Sequence, residues 1–371
     1  MNCKGASSRL WAAWWAVAWV MSLFATARCL SDELPTGIGK DPRVPVPDAA
    51  AIAEAETLVE EAFADDLKAA KDYPLALVKK FAAAATASRD AARRYALMQQ
   101  AERLAIAGGD QGLAMQLVIE RGRAFEIDTM TELLITLKRL ADAQEEQSQR
   151  LLPLAQGLAL DAAAVERFDL AIQAVNLAKE IAQSLSQRER KAAAARRQAS
   201  RGLARPEPQM APAMLKEVED VRTTVIARQK AYEKYQQARE ILRADPTSAA
   251  GHLGVGAYLC FEANDWEKGL PSLAQADGGE ISNVAASEIA AGGSPDASVV
   301  YQVAGKWWTA AEANGLPAVH ALAIRDHAAR LYGSVARKLD DPVENALAET
   351  RAREGRRTPS ANTSVVSGAR P

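Results

Sequence analysis

The stretch RDAARRYALMQQAERLAIAGGDQGLAMQLVIERGRAF, residues 89–125, carries the pattern that decides the fold. Apolar residues recur at Ala92, Tyr95, Ala96, Met98, Ala101 and Leu104, steps that gather them on one helical face. Gly108 and Gly109 then stop the helix, since glycine enters left-handed backbone without steric penalty. Asp110 follows as an N-cap for a second helix that presents Leu113, Met115, Leu117 and Val118 as far as Phe125. A helix, a Gly-Asp turn and a second helix, with small residues at the crossing, make an α-hairpin of the kind that stacks into repeat arrays.

The same grammar extends in both directions. Upstream, Asp48 is an N-cap for a helix to about Lys71 with Ile52, Leu58, Val59 and Phe63 as its stripe, and Pro74 restarts the chain. Downstream, Asp128 opens a helix through Leu133, Leu134, Leu137 and Leu140, which Pro153 and Gly157 are expected to break. A further amphipathic stretch runs from Phe168 to Ile181. Between Gln187 and Arg205 the chain turns basic, and Pro206, Pro208 and Pro212 close it, so residues 187–213 read as a linker. No aromatics interleave with those cations, which favours a solvated helix end over a site for an anionic polymer. A long helix follows from about Met214 to Arg243.

The block AAGHLGVGAYLCFEANDWEKGLPSLAQA, residues 249–276, resembles a tetratricopeptide unit with imperfect spacing. Gly251, Gly254 and Gly256 fall inside a helical pattern, which points to close helix packing rather than a phosphate cradle. Further helices are expected around Val284 to Ala290, from Asp296 to Asn314 and from Leu316 to Leu339. The fold expected is all-α: a tetratricopeptide-like array of helical hairpins (an α-solenoid) in two parts, 49–186 and 214–354, joined by a long helix. The termini, including residues 355–371, are expected to be disordered.

Composition agrees. The chain is 49% hydrophobic but 5% aromatic, with a formal net charge of −2. Poverty in aromatics argues against β-sandwiches, and plentiful apolar periodicity argues against a wholly disordered chain. With no basic excess there is no electrostatic field to draw nucleic acid, so no nucleic-acid partner is expected.

Residues 1–27 read as a secretory signal: Lys4 and Arg9, an apolar run from Leu10 to Phe24 interrupted by Ser22, then Ala25-Thr26-Ala27 as a cleavage site. Residues 28–48, punctuated by prolines and glycines, read as a linker. The expected location is exported, in the periplasm or cell envelope. The alternative is an uncleaved N-terminal membrane anchor, since Leu10 to Ala27 approaches the length of a span. Beyond the signal only Cys29 and Cys260 remain, too few for a disulfide framework, and Cys260 reads as a buried free thiol.

AGHLGVGAYLCFEANDWEKGLPSLAQA, YQVAGKWWTAAE and IRDHAARLYGSVARKL, with PVPDAAAIAEAE nearer the start, resemble a family of exported planctomycete-type bacterial proteins with tetratricopeptide-like helical repeats. Trp307 and Trp308 match the family's paired tryptophans. The turn Asn264-Asp265-Trp266 stands where the family usually has Gly-Asp-Trp, and Leu331-Tyr332 where a Trp-Tyr pair is common. The resemblance implies an exported helical protein and no established activity, so it carries over no catalytic residues.

Chemistry is sparse in the sequence itself. The chain has three histidines, His252, His320 and His327. The last two are seven apart on one helix, a spacing that suits helix packing better than metal binding. No nucleophile elbow, complete phosphate loop or calcium loop occurs, and no catalytic residue, cofactor or metal is expected. The nearest constellation is Glu262, Asp265 and Trp266 with Trp307 and Trp308, a candidate interaction surface. Adjacent helical residues point about 100° apart, so Trp307 and Trp308 can both be buried only in a helix covered on two sides. The leading expectation is a non-catalytic envelope protein that binds an unidentified protein or peptide. The alternative is a carbohydrate-active or carbohydrate-binding accessory, which requires those side chains to converge in an open pocket.

Overall fold

The computed structural model describes residues 43–69, 73–143, 148–199, 211–292, 296–313 and 315–357. The expected signal (residues 1–27), residues 28–42 of the expected linker and residues 358–371 of the expected tail lie outside them. Among the described residues the chain is all-helical, with one isolated β-bridge between Val44 and Phe125. No described helix is long and apolar enough to cross a membrane.

The helices are α1 (Ala49–Ala62), α2 (Ala64–Ala69), α3 (Pro74–Ala87), α4 (Ala91–Ala107), α5 (Gln111–Ala124), α6 (Thr129–Ala143), α7 (Ser148–Ala164), α8 (Phe168–Ala199) and α9 (Ala211–Ala244). There follow α10 (Ala249–Ala257), a π-helical turn (Tyr258–Glu262), α11 (Trp266–Ala274), α12 (Glu280–Ala291), α13 (Ala297–Ala310), α14 (Ala318–Val335) and α15 (Pro342–Arg357). The chain divides into two compact units, one within Met1–Leu158 and Gln173–Val218, the other within Ala159–Ile172 and Glu219–Pro371.

In the first unit the turn signals act as their chemistry dictates. Asp48, Asp90 and Asp110 accept hydrogen bonds from the backbone N–H groups of Ala51, Arg93 and Leu113, capping α1, α4 and α5. Gly109 takes φ +79°, the left-handed conformation that lets α4 reverse into α5. Residues 43–48 are not a free linker. Val44 exchanges backbone hydrogen bonds with Ala124 and Glu126, and the Arg43 guanidinium donates to the carbonyls of Phe125 and Ile127.

The core of this unit contains a buried ionic cluster that apolar packing alone would not require. Arg121 of α5 and Glu102 of α4 are each 2% exposed and paired. Arg121 also reaches Glu132 at 2.8 Å, and the Thr136 hydroxyl donates to Glu102 at 2.7 Å. The guanidinium lies over the Tyr95 ring, which packs edge-on against Phe125.

Several expectations are corrected. Leu58 is exposed, and the buried stripe of α1 is Ala55 and Val59. Pro153 does not end a helix: it sits at the sixth residue of α7, and Gly157 lies further inside. The bond lost at its missing N–H is offset by burial of Leu151, Leu152, Ala155 and Leu158 around it. The basic stretch that was to open a linker at Gln187 stays helical to Ala199, carried by the strong helix-formers Lys191 to Arg196. Residues 200–210 lie outside the described residues. Pro212 occupies the first turn of α9, where its absent N–H costs nothing. The division between the units accordingly falls within α7, α8 and α9, not at that stretch. Residues 355–357, assigned to the tail, complete α15.

Replacing Arg121 by Met should lower the unfolding free energy by about 3–5 kcal/mol, because Glu102 is left buried without its partner. The double variant Glu102→Met, Arg121→Met should recover most of that loss in urea denaturation. Equal losses in the two variants would contradict the pairing as the source of the cost.

Candidate functional site

In the second unit small residues let helices meet closely, and the few large side chains fill what remains. A Cβ on Gly254 would lie 2.6 Å from the Ala238 Cβ of α9, and one on Gly256 would lie 2.7 Å from Leu273 of α11. Gly269 of α11 leaves room for the Cys260 sulfur. The glycine cluster is thus a packing device. Ser248 caps α10, and the π-helical turn carries the chain to Asn264, whose φ of +55° turns it into α11.

At that turn stand three of the candidate residues. The Asp265 carboxylate accepts from the Lys268 backbone N–H and pairs with the Lys268 ammonium at 2.7 Å, so it caps α11. Those hydrogen bonds hold its carboxyl below the usual range. Glu262 meets His320 of α14 at 3.2 Å. Trp266 begins α11 and packs back beneath the turn at 7% exposure, donating from Nε1 to the Asn264 side chain. Asn264 also accepts from Arg330 of α14 at 2.7 Å.

Trp266 lies face to face with His327, ring centroids 3.6 Å apart, and edge to face with Trp307 at 5.3 Å. Trp307 is wholly buried, and its Nε1 donates to Glu288 of α12. His327 Nε2 donates to both oxygens of the same carboxylate, at 3.0 and 2.9 Å. Glu288 therefore satisfies two buried donors at once, from α13 and from α14. Trp308 faces the other way and is also buried, at 7% exposure. It packs against Tyr332, with the guanidiniums of Arg325 and Arg351 about 5.3 and 5.0 Å from its ring centre. Helix α13 is therefore covered on two sides.

The structure brings Trp266 and Trp307 together and places Trp308 apart from them. All three indoles are buried. A sugar platform needs an open ring face. Asp265 and Glu262 are engaged in a cap and a helix-to-helix pair. Comparison of the chain with protein-family models, curated proteins and solved structures finds no match.

His327 and Glu288 were not among the expected site residues, although a signal was present. Glu288 follows the buried Val284 and Ala285 by four and three residues, which sets an acid in step with the buried face of α12. Burial pushes the Cys260 thiol well above its ordinary value, with the Glu288 and Asp265 carboxylates adding in the same direction. Its thiol form is inert. Among the described residues no group of three or more histidine, cysteine, aspartate or glutamate side chains is placed to hold a metal ion.

An open groove lies between α12 and α13. It has a volume of about 660 Å³ and is lined by Glu280, Asn283, Val284, Ser287, Lys306 and Thr309, with Gly305 alongside. None of Trp266, Trp307 and Trp308 lines it.

Replacing Glu288 by Ala should destabilise this unit by about 2–3 kcal/mol, since Trp307 and His327 would each lose a buried acceptor. Near-ultraviolet circular dichroism during urea unfolding measures it. Iodoacetamide at pH 8 should leave Cys260 unmodified in the native protein and alkylate it in guanidinium, as read by peptide mass mapping.

Proposed function

We propose that the protein is an exported, non-catalytic helical-repeat protein that binds a protein or peptide partner in the cell envelope. In this reading it is a tetratricopeptide-like α-solenoid in two parts joined by the long helix α9, related to the exported planctomycete-type family. The observation that carries the reading is the use made of the side chains offered for chemistry. Trp266, Trp307 and Trp308 are buried between helices, Asp265 caps α11, and Glu262 is held against His320. Residues so engaged build a scaffold.

Two further features favour a binding surface. Val319 and Leu322 are exposed three apart on α14, and Val343 and Leu347 four apart on α15, so each pair forms a short apolar stripe on one helical face. Sequential helices meet through glycine and alanine, as stacked hairpins require. Export rests on residues 1–27 and their apolar run, with an uncleaved anchor as the alternative.

Tagged chain beginning at Arg28, crosslinked in an envelope fraction of the cells that make it, should capture a specific protein partner in defined stoichiometry. Capture of nothing beyond the untagged control, with the protein shown to be folded, would overturn the reading.

A further inference from the structure

We infer that Tyr332, Arg351 and Arg325, gathered around Trp308 where α13, α14 and α15 meet, form a binding site for a phosphate group. The site lies within the second unit and is independent of the partner reading above.

Donors outnumber acceptors at this place. Tyr332 is 1% exposed, and its hydroxyl accepts from the Arg351 guanidinium of α15. Among the described residues the hydroxyl's own proton has no acceptor. Burial lifts the phenol above its ordinary value, against the pull of Arg351, so the proton stays in place at neutral pH. Arg351 has that hydroxyl as its one polar side-chain partner among the described residues, and no carboxylate. Arg325 Nε is sealed from solvent without a hydrogen-bond partner. Buried donors of this kind are costly to leave unmet.

Charge is unbalanced in the same direction. The Arg325 and Arg351 guanidinium carbons lie 5.3 and 5.0 Å from the Trp308 ring centre, which limits their separation to about 10 Å. Their one ion-pair partner among the described residues is Glu312, 3.7 Å from Arg325 and itself 57% exposed. Two guanidiniums thus share a single, loosely held carboxylate. The Trp308 and Tyr332 rings attract the cations but supply no oxygen acceptor for their N–H groups.

The place can be reached. Arg351 is half-buried, and its Nε and Nη2 atoms keep access to solvent. A Cβ on Gly305 of α13 would meet only the Tyr332 hydroxyl, at 3.4 Å, so the glycine leaves open space on that side of the phenol.

The donors select the class of anion. Arg351 spends Nη1 on Tyr332 and keeps its Nε–Nη2 edge, which grips two oxygens in parallel. Tyr332 and Arg325 add donors from a second helix. A carboxylate holds its two oxygens in one plane and suits a single fork. A phosphate spreads its oxygens tetrahedrally, so two can meet the fork while a third faces the phenol. Its charge also answers both guanidiniums.

The test titrates inorganic phosphate into the chain from Arg28 by isothermal calorimetry, with sodium chloride at equal ionic strength as the control for screening. Phosphate should bind saturably, one per chain, raise the unfolding midpoint, and bind at least about fivefold tighter than acetate. Arg351→Lys keeps the charge and loses the fork, and should weaken binding about tenfold. Tyr332→Phe removes only the O–H and should weaken it about three- to tenfold. Near-ultraviolet circular dichroism checks that both variants fold, and Lys306→Gln, in the groove between α12 and α13, should bind phosphate as the wild type does. No saturable binding, an equal response to chloride, acetate as tight as phosphate, or folded Arg351 and Tyr332 variants that bind normally would each overturn the site. Two sources of the phosphate are separable, and either upholds the site. Binding to phosphatidylglycerol vesicles that Arg351→Lys loses assigns it to a lipid headgroup. Binding of glycerol phosphate without vesicle binding assigns it to a soluble ester.

Discussion

An alanine-rich helix offers its neighbour a shallow surface, and everything else in this protein follows from how such helices are made to stick. Alanine gives strong helix propensity but little apolar area per residue. Close approach recovers part of what bulk would have supplied, which is why Gly254, Gly256 and Gly269 stand where a Cβ would collide with the facing helix. The remaining gaps are closed by a few large side chains. Those side chains carry polar atoms, and each buried polar atom needs a partner.

This constraint explains why both units contain polar clusters in their cores. In the first, Arg121 crosses from α5 to Glu102 of α4 and Glu132 of α6, so one guanidinium ties three helices. In the second, Glu288 accepts from Trp307 and His327 and ties α12 to α13 and α14. Apolar contacts between smooth helices tolerate sliding. A carboxylate that must meet two donors does not, so these clusters fix the register in which the helices pack.

The helices and their turns were legible in the sequence because their signals are local. Asp48, Asp90 and Asp110 cap the helices they precede, and Gly109 takes the left-handed turn read from Gly108-Gly109. The partners were not legible. Nothing linear joins Glu102 to Arg121 or Glu288 to His327, although each sits in step with apolar neighbours on a buried face. Pro153 and the basic run after Gln187 misled in the opposite direction. Both are helix-breaking or solvent-seeking by composition, and both were overridden, one by the packing of Leu151 and Leu158, the other by the alanines at 192–195. The burial of Trp266, Trp307 and Trp308 was beyond local reading, since exposure is decided by what packs against a residue.

The placement of the tryptophans has an optical consequence. Past residue 19 every indole of the chain, Trp266, Trp307 and Trp308, lies in the second unit. Emission from these rings therefore reports on that unit alone, while the described residues of the first unit carry tyrosine and no tryptophan. Trp266 rests against an imidazole at 3.6 Å, and Trp308 is flanked by two guanidiniums. The three emitters thus occupy two distinct dielectric settings, and the protein carries in its own core a two-channel gauge of how tightly α13 is clasped from each side.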